Sequence, residues 1–376
     1  MKVFNKLVFG LLIFSAAEVS IAAQIDIPLR TWISRPLVSP EAPCSSGCKH
    51  MRLTHNPVNG LIYIMGGDHS GFTPGFPQSG RMDMFTYSIE NDVWKLEQPY
   101  CRTDSSPQPA GPDEVGWIYD SKRNVFWHNP GFNWDSASRC PDSDVRRTKI
   151  MSYDPITKVW TNENRATIKS VGITTGNARF AQYDPVEDTF VVFVGSDANV
   201  YDITNDKWTQ YPLTGQSQYG LNGDDYTAID LVGRKIYYID NRHSLKLFVY
   251  DMDTKVFIDS VPVPSTAVVT KETQAHWDPI NKVVLWPHWS NGDTAEITNL
   301  YVYHPDSKKW DDLPIAQPSG DTVKGRHSVF DPFQNVLMVM GPKLTNSPVF
   351  LYRYGSGSGG VVDLVAPASP TSLSAE

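Results

Sequence analysis

The sequence predicts an all-β fold, a closed ring of small four-stranded antiparallel sheets, and three observations lead there. First, a turn phrase recurs: His55-Asn-Pro-Val-Asn-Gly60, Tyr119-Asp-Ser-Lys-Arg-Asn124, Tyr183-Asp-Pro-Val-Glu-Asp188, Ile229-Asp-Leu-Val-Gly-Arg234, Trp277-Asp-Pro-Ile-Asn-Lys282 and Phe330-Asp-Pro-Phe-Gln-Asn335. Second, each copy is followed by a short β-branched and aromatic run, such as Leu61–Met65, Phe190–Val194 or Val336–Met340, the composition of a buried strand. Third, another phrase alternates with the first and ends in a large ring: Tyr87…Trp94, Tyr153…Trp160, Tyr201…Trp208, Tyr250…Phe257 and Tyr303…Trp310. Repeats of this period signal a propeller or an array.

The N-terminus reads as an export signal, expected over residues 1–22. Lys2 and Lys6 form its charged region, Leu7 to Ala17 its apolar stretch, and Ser20-Ile21-Ala22 a small-x-small cleavage site. The apolar run is too short to span a bilayer, which takes about 20 residues, and no other segment of the sequence is a candidate. The expected location is secreted or periplasmic. In such an oxidising compartment the four cysteines, Cys44, Cys48, Cys101 and Cys140, are expected to form two disulfides. Of the three connectivities, Cys44–Cys48 with Cys101–Cys140 is the expected one. A zinc site from Cys44, Cys48 and His50 is the rival, weakened by the lack of a second suitably spaced Cys pair.

The propeller is expected over residues 23–355. The first turn phrase joins strands one and two of a unit and the second joins strands three and four, so two hairpins make a blade. The first phrase recurs at intervals of about 64, 64, 46, 48 and 53 residues, giving six blades; a seventh, degenerate one would fall within Phe132–Arg147. The last unit lacks a closing aromatic. Leu29-Arg-Thr-Trp-Ile-Ser-Arg-Pro-Leu37 supplies it as a fourth strand with Trp32 in the aromatic position, removing the open sheet edges. After Tyr354 comes a Gly-Ser linker, and residues 356–376 hold it together with Leu364–Glu376.

Ile64-Met-Gly-Gly67 followed by Tyr87 and Trp94 resembles a repeat of the Kelch family of β-propellers, and the likeness runs from about residue 29 to 354. Other units depart from it, reading Val194-Gly195-Ser196 or Met340-Gly341-Pro342. The tail resembles the opening strand of a fibronectin type III module, which would make this chain a monomeric module of a longer protein.

Net charge is −8, from 33 Lys and Arg against 41 Asp and Glu, with no basic stripe. Nucleic acid is therefore not an expected partner, since phosphate binding needs clustered positive charge. Propeller topology sends the loops from strand four to one, and from two to three, to one face around the central channel. Seven of the nine histidines sort to that face: His50, His276 and His327 at entries to strand one, and His69, His128, His243 and His288 after strand two. Arg52, Asp113, Glu114, Asn177, Asp224 and Asp225 join them from the strand-one entries, and Asp68, Arg242 and Trp289 from the second set. Such a collection suits a polar, sugar-like ligand, although any propeller also surrounds its mouth with polar loops simply to solvate it.

Three functions fit. The first is polysaccharide binding at this face, with or without lyase activity. β-Elimination on a uronic acid needs a base near the sugar C5, an acid for the leaving oxygen and a cation for the carboxylate; His128, His69, Tyr226, Arg179 and Arg326 are the candidates for those roles. The second is a non-catalytic module for protein–protein interaction. The third is a metal-dependent oxidase of Kelch type, which the resemblance implies would need paired Tyr and His ligands and a free Cys beside a Tyr. No cofactor is called for by a motif, and a lone divalent metal on several of the histidines is the one cofactor left open.

Overall fold

A computed structural model describes residues 25–35, 50–67, 84–98, 116–129, 150–165, 181–194, 196–213, 226–240, 244–267, 274–289, 296–316, 318, 322–323, 327–340 and 348–356. These form six four-stranded antiparallel sheets. Blade I holds β2 (His50–Asn56), β3 (Leu61–Gly67), β4 (Met84–Ser88) and β5 (Val93–Gln98). Blade II holds β6 (Gly116–Asp120), β7 (Val125–Asn129), β8 (Met151–Asp154) and β9 (Val159–Asn162). Blade III is β10 (Ala181–Asp184), β11 (Thr189–Val194), β12 (Asp197–Asp202) and β13 (Lys207–Pro212). Blade IV is β14 (Tyr226–Asp230), β15 (Lys235–Asp240), β16 (Lys246–Asp251) and β17 (Val256–Pro262). Blade V is β18 (His276–Asp278), β19 (Val283–Trp289), β20 (Ile297–His304) and β21 (Lys309–Pro314). Blade VI combines β22 (His327–Asp331), β23 (Val336–Met340) and β24 (Val349–Tyr352) with β1 (Trp32–Arg35) from the start of the chain.

The turn phrase works because its second residue caps the turn that follows. Asp184 Oδ1 accepts the backbone N–H of Val186 at 2.9 Å, and Asp120, Asp230, Asp251, Asp278 and Asp331 each take two backbone N–H groups in the same way. An aspartate that does this holds the turn by contacts within the turn itself, independent of strand pairing. Each of the eleven turns belonging to the two phrases then ends on a residue with positive φ, from Gly60 (68°) through Asn124 (52°), Lys158 (61°) and Lys282 (54°) to Asn335 (52°). That left-handed residue matches the turn to the twist of the strands. Only at position 60 is it a glycine. Elsewhere a side chain earns a second use, as where Asp92 and Asp206 accept the hydroxyls of Tyr87 and Tyr201, each at 2.6 Å.

The second phrase sets one aromatic opposite another across strands three and four. Tyr87 faces Trp94, Tyr153 faces Trp160, Tyr201 faces Trp208 and Tyr303 faces Trp310, with ring centroids 4.5, 5.1, 4.9 and 5.1 Å apart. Trp32 completes the series in blade VI: it pairs with Tyr352, centroids 4.9 Å apart. Arg353 fastens the same entry, donating to the carbonyls of Ile27 (3.0 Å) and Ile25 (2.8 Å).

Between blades the core is apolar, aliphatic at some seams and rich in aromatic rings at others. Tyr63 and Met65 of blade I, for instance, pack with Trp117, Phe126, Tyr153 and Trp160 of blade II. The first strands touch in order, β2 to β6, β10, β14, β18, β22 and back to β2. Six blades close the ring, so the seven-bladed alternative does not hold.

Candidate functional site

The six first strands enclose a cavity of about 330 Å³ on the propeller axis. Every blade contributes a wall residue: Arg52, Trp117, Gln182, Thr227, His276 and Phe330. The cavity extends to the first-phrase turns, where Pro57, Ser121, Val232, Pro279 and Pro332 border it.

Two kinds of contact hold the wall. Along the strands the links between blades are neutral. Gln182 Nε2 donates to the carbonyl (3.1 Å) and Oγ1 (2.8 Å) of Thr227, and Thr54 Oγ1 donates to the carbonyl of Trp117 at 3.3 Å. His276 Nε2 lies 2.7 Å from Ser328 Oγ, while the Ser328 N–H donates to Gln274 Oε1 at 3.1 Å. At the turns the links are charged. Arg123 donates to both carboxylate oxygens of Asp188, at 2.7 and 2.6 Å, and Arg234 reaches across to both oxygens of Asp184, with Nη2 to Oδ2 at 2.8 Å. Burial alone would raise the Asp188 carboxyl, but hydrogen bonds from Arg123, Tyr183 and Thr204 hold it down to about 2.

Trp117 Nε1 and His55 Nε2 are buried polar atoms of wall residues that make no hydrogen bond. The His55 nitrogen has only Asp331 Oδ1, 3.4 Å away.

The histidines anticipated at one mouth occupy different depths. His276 lines the cavity and keeps a partly exposed edge, yet burial pushes it down to about 3. His128 is fully buried on β7, one strand out from the channel, its ring 6.4 Å from that of Trp160. Neither ring nitrogen of His128 is hydrogen-bonded, and burial pushes it down to about 3 as well. His288 is buried on β19 against Trp286 and Tyr301, and His327 is buried at the start of β22. Arg52 is buried in the cavity wall. His50, Tyr226 and Trp289 lie on strands, but nothing further is described of their side chains. His69, Asp68, Asp113, Glu114, Asn177, Arg179, Asp224, Asp225, Arg242, His243 and Arg326 lie outside the described residues, as do Cys44, Cys48, Cys101, Cys140 and the segment Phe132–Arg147.

Of the anticipated set, then, the cavity brings together Arg52 and His276. Sequence reading had left out Trp117, Gln182 and Thr227. Their signal was positional: each falls on the strand before a first-phrase turn, and in a propeller that strand lines the axis. Among the described residues no cluster of three or more His, Cys, Asp or Glu could hold a metal ion, and no helix is long and apolar enough to cross a membrane.

The fold and the axial cavity define the class, a six-bladed β-propeller. Among solved structures, that of YjhT superposes on this chain with a TM-score of 0.52 at 12% sequence identity, covering 82% of this chain and 94% of that one. At that identity the likeness concerns the fold alone. No protein-family model matches the sequence, and no curated protein matches it either.

Proposed function

We propose that this chain is an exported, Kelch-like propeller that binds polysaccharide at its central channel. The observation that carries this reading is the axial cavity. At about 330 Å³ it lies at the lower end of the range of ligand sites, about 300–1,000 Å³. Its wall combines the rings of Trp117, Tyr183 and Trp277 with the amides of Gln182 and Gln274, the Thr227 hydroxyl and the Arg52 guanidinium. Flat apolar faces beside dispersed hydrogen-bonding groups are what a sugar ring presents in complement. The export signal read in residues 1–22 supports a setting where polysaccharides are met, and the tail's resemblance to a fibronectin type III start supports a modular parent chain.

Binding is favoured over lysis by the two histidines. A general base works best with a pKa near the operating pH. His276 and His128 are pushed down to about 3, which makes them neutral hydrogen-bonding groups and weak bases. The test is direct. The protein is run through gels containing uronate and neutral polysaccharides, and the same mixtures are followed for the ultraviolet absorbance of an unsaturated uronate. Retardation without absorbance is the expected result. Absorbance that grows with time would install the lyase, and retardation by no glycan would remove the carbohydrate reading.

A further inference from the structure

We infer that the channel is amphipathic along its axis and takes a saccharide bearing an apolar substituent, an acyl or aryl group, with the substituent at the turn end and the sugar among the polar groups further back. This rests on the carbohydrate reading and names the class of saccharide. Three observations carry it.

The first is a common axial scale. The turns of neighbouring blades meet at one end: Asn56 Nδ2 donates to Asn124 Oδ1 at 3.3 Å, Arg123 reaches Asp188 at 2.6 Å, Arg234 reaches Asp184 at 2.8 Å, and His55 lies 3.4 Å from Asp331. The first strands thus run side by side in one direction. Depth in the channel is counted back from the residue that caps each turn, at about 3.3 Å per residue.

The second is the layer one residue before those caps. It consists of His55, Tyr119, Tyr183, Ile229, Trp277 and Phe330, all of them on the cavity wall. Its two tyrosine hydroxyls are already engaged, Tyr119 with Asn124 Oδ1 and Tyr183 with Asp188 Oδ1, each at 2.9 Å. The Asp230 carboxylate at the same end accepts the N–H groups of Val232 and Gly233. Beyond this layer Pro57, Pro279, Pro332 and Val232 form the rim, and Val232 is 82% exposed. A sugar hydroxyl pressed against this end meets chiefly rings and aliphatic carbons, and an unpaired hydroxyl costs free energy on leaving water. An apolar group gains free energy by the same move. The third is the layer two to four residues before the caps, where Arg52, Gln182, Thr227, Gln274 and His276 reach the wall beside Trp117. These polar groups stand about 3–10 Å back from the aromatic layer, within the span of a sugar ring and one substituent.

The experiment measures binding of the methyl, butyl and phenyl β-glycosides of glucose, galactose and glucuronic acid by titration calorimetry. Each methylene added between methyl and butyl is worth about threefold when buried. The dissociation constant for the preferred sugar should therefore fall about thirtyfold, with a more negative heat-capacity change. The phenyl glycoside tells an aryl fit from an alkyl one, and a gain on either supports the inference. Gains below about threefold on both mean that the turn end takes no apolar group, which overturns the inference and spares the carbohydrate reading. Binding by no glycoside, while polysaccharide still retards the protein in gels, does the same. The butyl ether of triethylene glycol carries the same chain without a sugar and should bind about tenfold more weakly or worse; equal binding overturns both readings. Leu231→Ser, at a half-buried wall position of the turn end, should cut the butyl-to-methyl ratio several-fold. Gln182→Ala should weaken all members of the series by a similar several-fold factor. If both variants keep the parent's denaturation midpoint and its affinities, the substituent is held outside the channel and the inference falls.

Discussion

The two ends of each first strand are built on different physics. At the turn end, a local motif is reinforced by charge: Asp184 both caps its own turn and receives the Arg234 guanidinium from the next blade. Further back along the strands, the blades are joined by neutral groups such as Gln182 with Thr227 and His276 with Ser328. A charged, motif-encoded end fixes the geometry of the ring. The neutral ties further back place amide and hydroxyl groups on the cavity wall. Charged ties thus stand at the turn ends and neutral ties further back along the same six strands.

Asp184→Ala should break the charged end most severely. The carboxylate is fully buried, and its loss frees the turn of blade III as well as leaving Arg234, among the described residues, with its contacts to Asp253 and Glu187. Removing one partner of a buried ion pair costs about 3–5 kcal/mol, and chemical denaturation should show a loss at or below the lower limit because those remaining carboxylates compensate in part. A change smaller than about 1 kcal/mol, the worth of an ordinary hydrogen bond, would mean that the two ends do not differ as argued.

Acid should separate the ends in order. The folded pKa of His276 lies near 3 and its unfolded value near 6.5. The unfolded chain therefore binds the proton first, and stability falls as pH drops from about 6.5 towards 3, by up to about 1.4 kcal/mol per pH unit. His128 behaves in the same way. Asp188 has the opposite shift, with a folded pKa near 2 against an ordinary value of 3.8. Its contribution survives until the pH passes below about 4. The lining should thus loosen a unit or more before the charged turns do, visible as hydrogen exchange at residues 276–278 preceding that at 185–188. His276→Asn should flatten the first limb alone. Coincident exchange at both ends would sink this ordering.

These two ends also differ in how far they could be read from sequence. The turn phrase was legible because its logic is local: an aspartate that caps its own turn leaves the same signature wherever the chain goes. Trp32 was legible for a related reason, since five copies of an aromatic pair had already defined the place that a sixth must fill. Gln182, Thr227 and Trp117 were not, because nothing in the few residues around each one says that six such strands converge on an axis. His128 is the converse case. Its position after strand two suggested the mouth, yet the pleat of β7 turns the ring into the packing between blades, and the direction of a side chain is fixed by pairing partners far away in sequence.

The smallest effect tests the charged end through its backbone. Ten of the eleven turns close on a non-glycine residue with positive φ, and at Lys282 (54°) no ion pair or hydrogen bond of the side chain compensates among the described contacts. The left-handed conformation costs an L-residue about 1–2 kcal/mol, while glycine brings back about 0.5–1 kcal/mol through its freer unfolded chain. Lys282→Gly should therefore stabilise the protein by roughly 0.5–1 kcal/mol, read as a small rise in the denaturation midpoint at unchanged slope. The same change at Asp206, whose carboxylate accepts the Tyr201 hydroxyl, should give no gain, because the strain relieved is offset by the bond removed. A gain of equal size at both positions would show that the left-handed residues serve the turns by conformation alone.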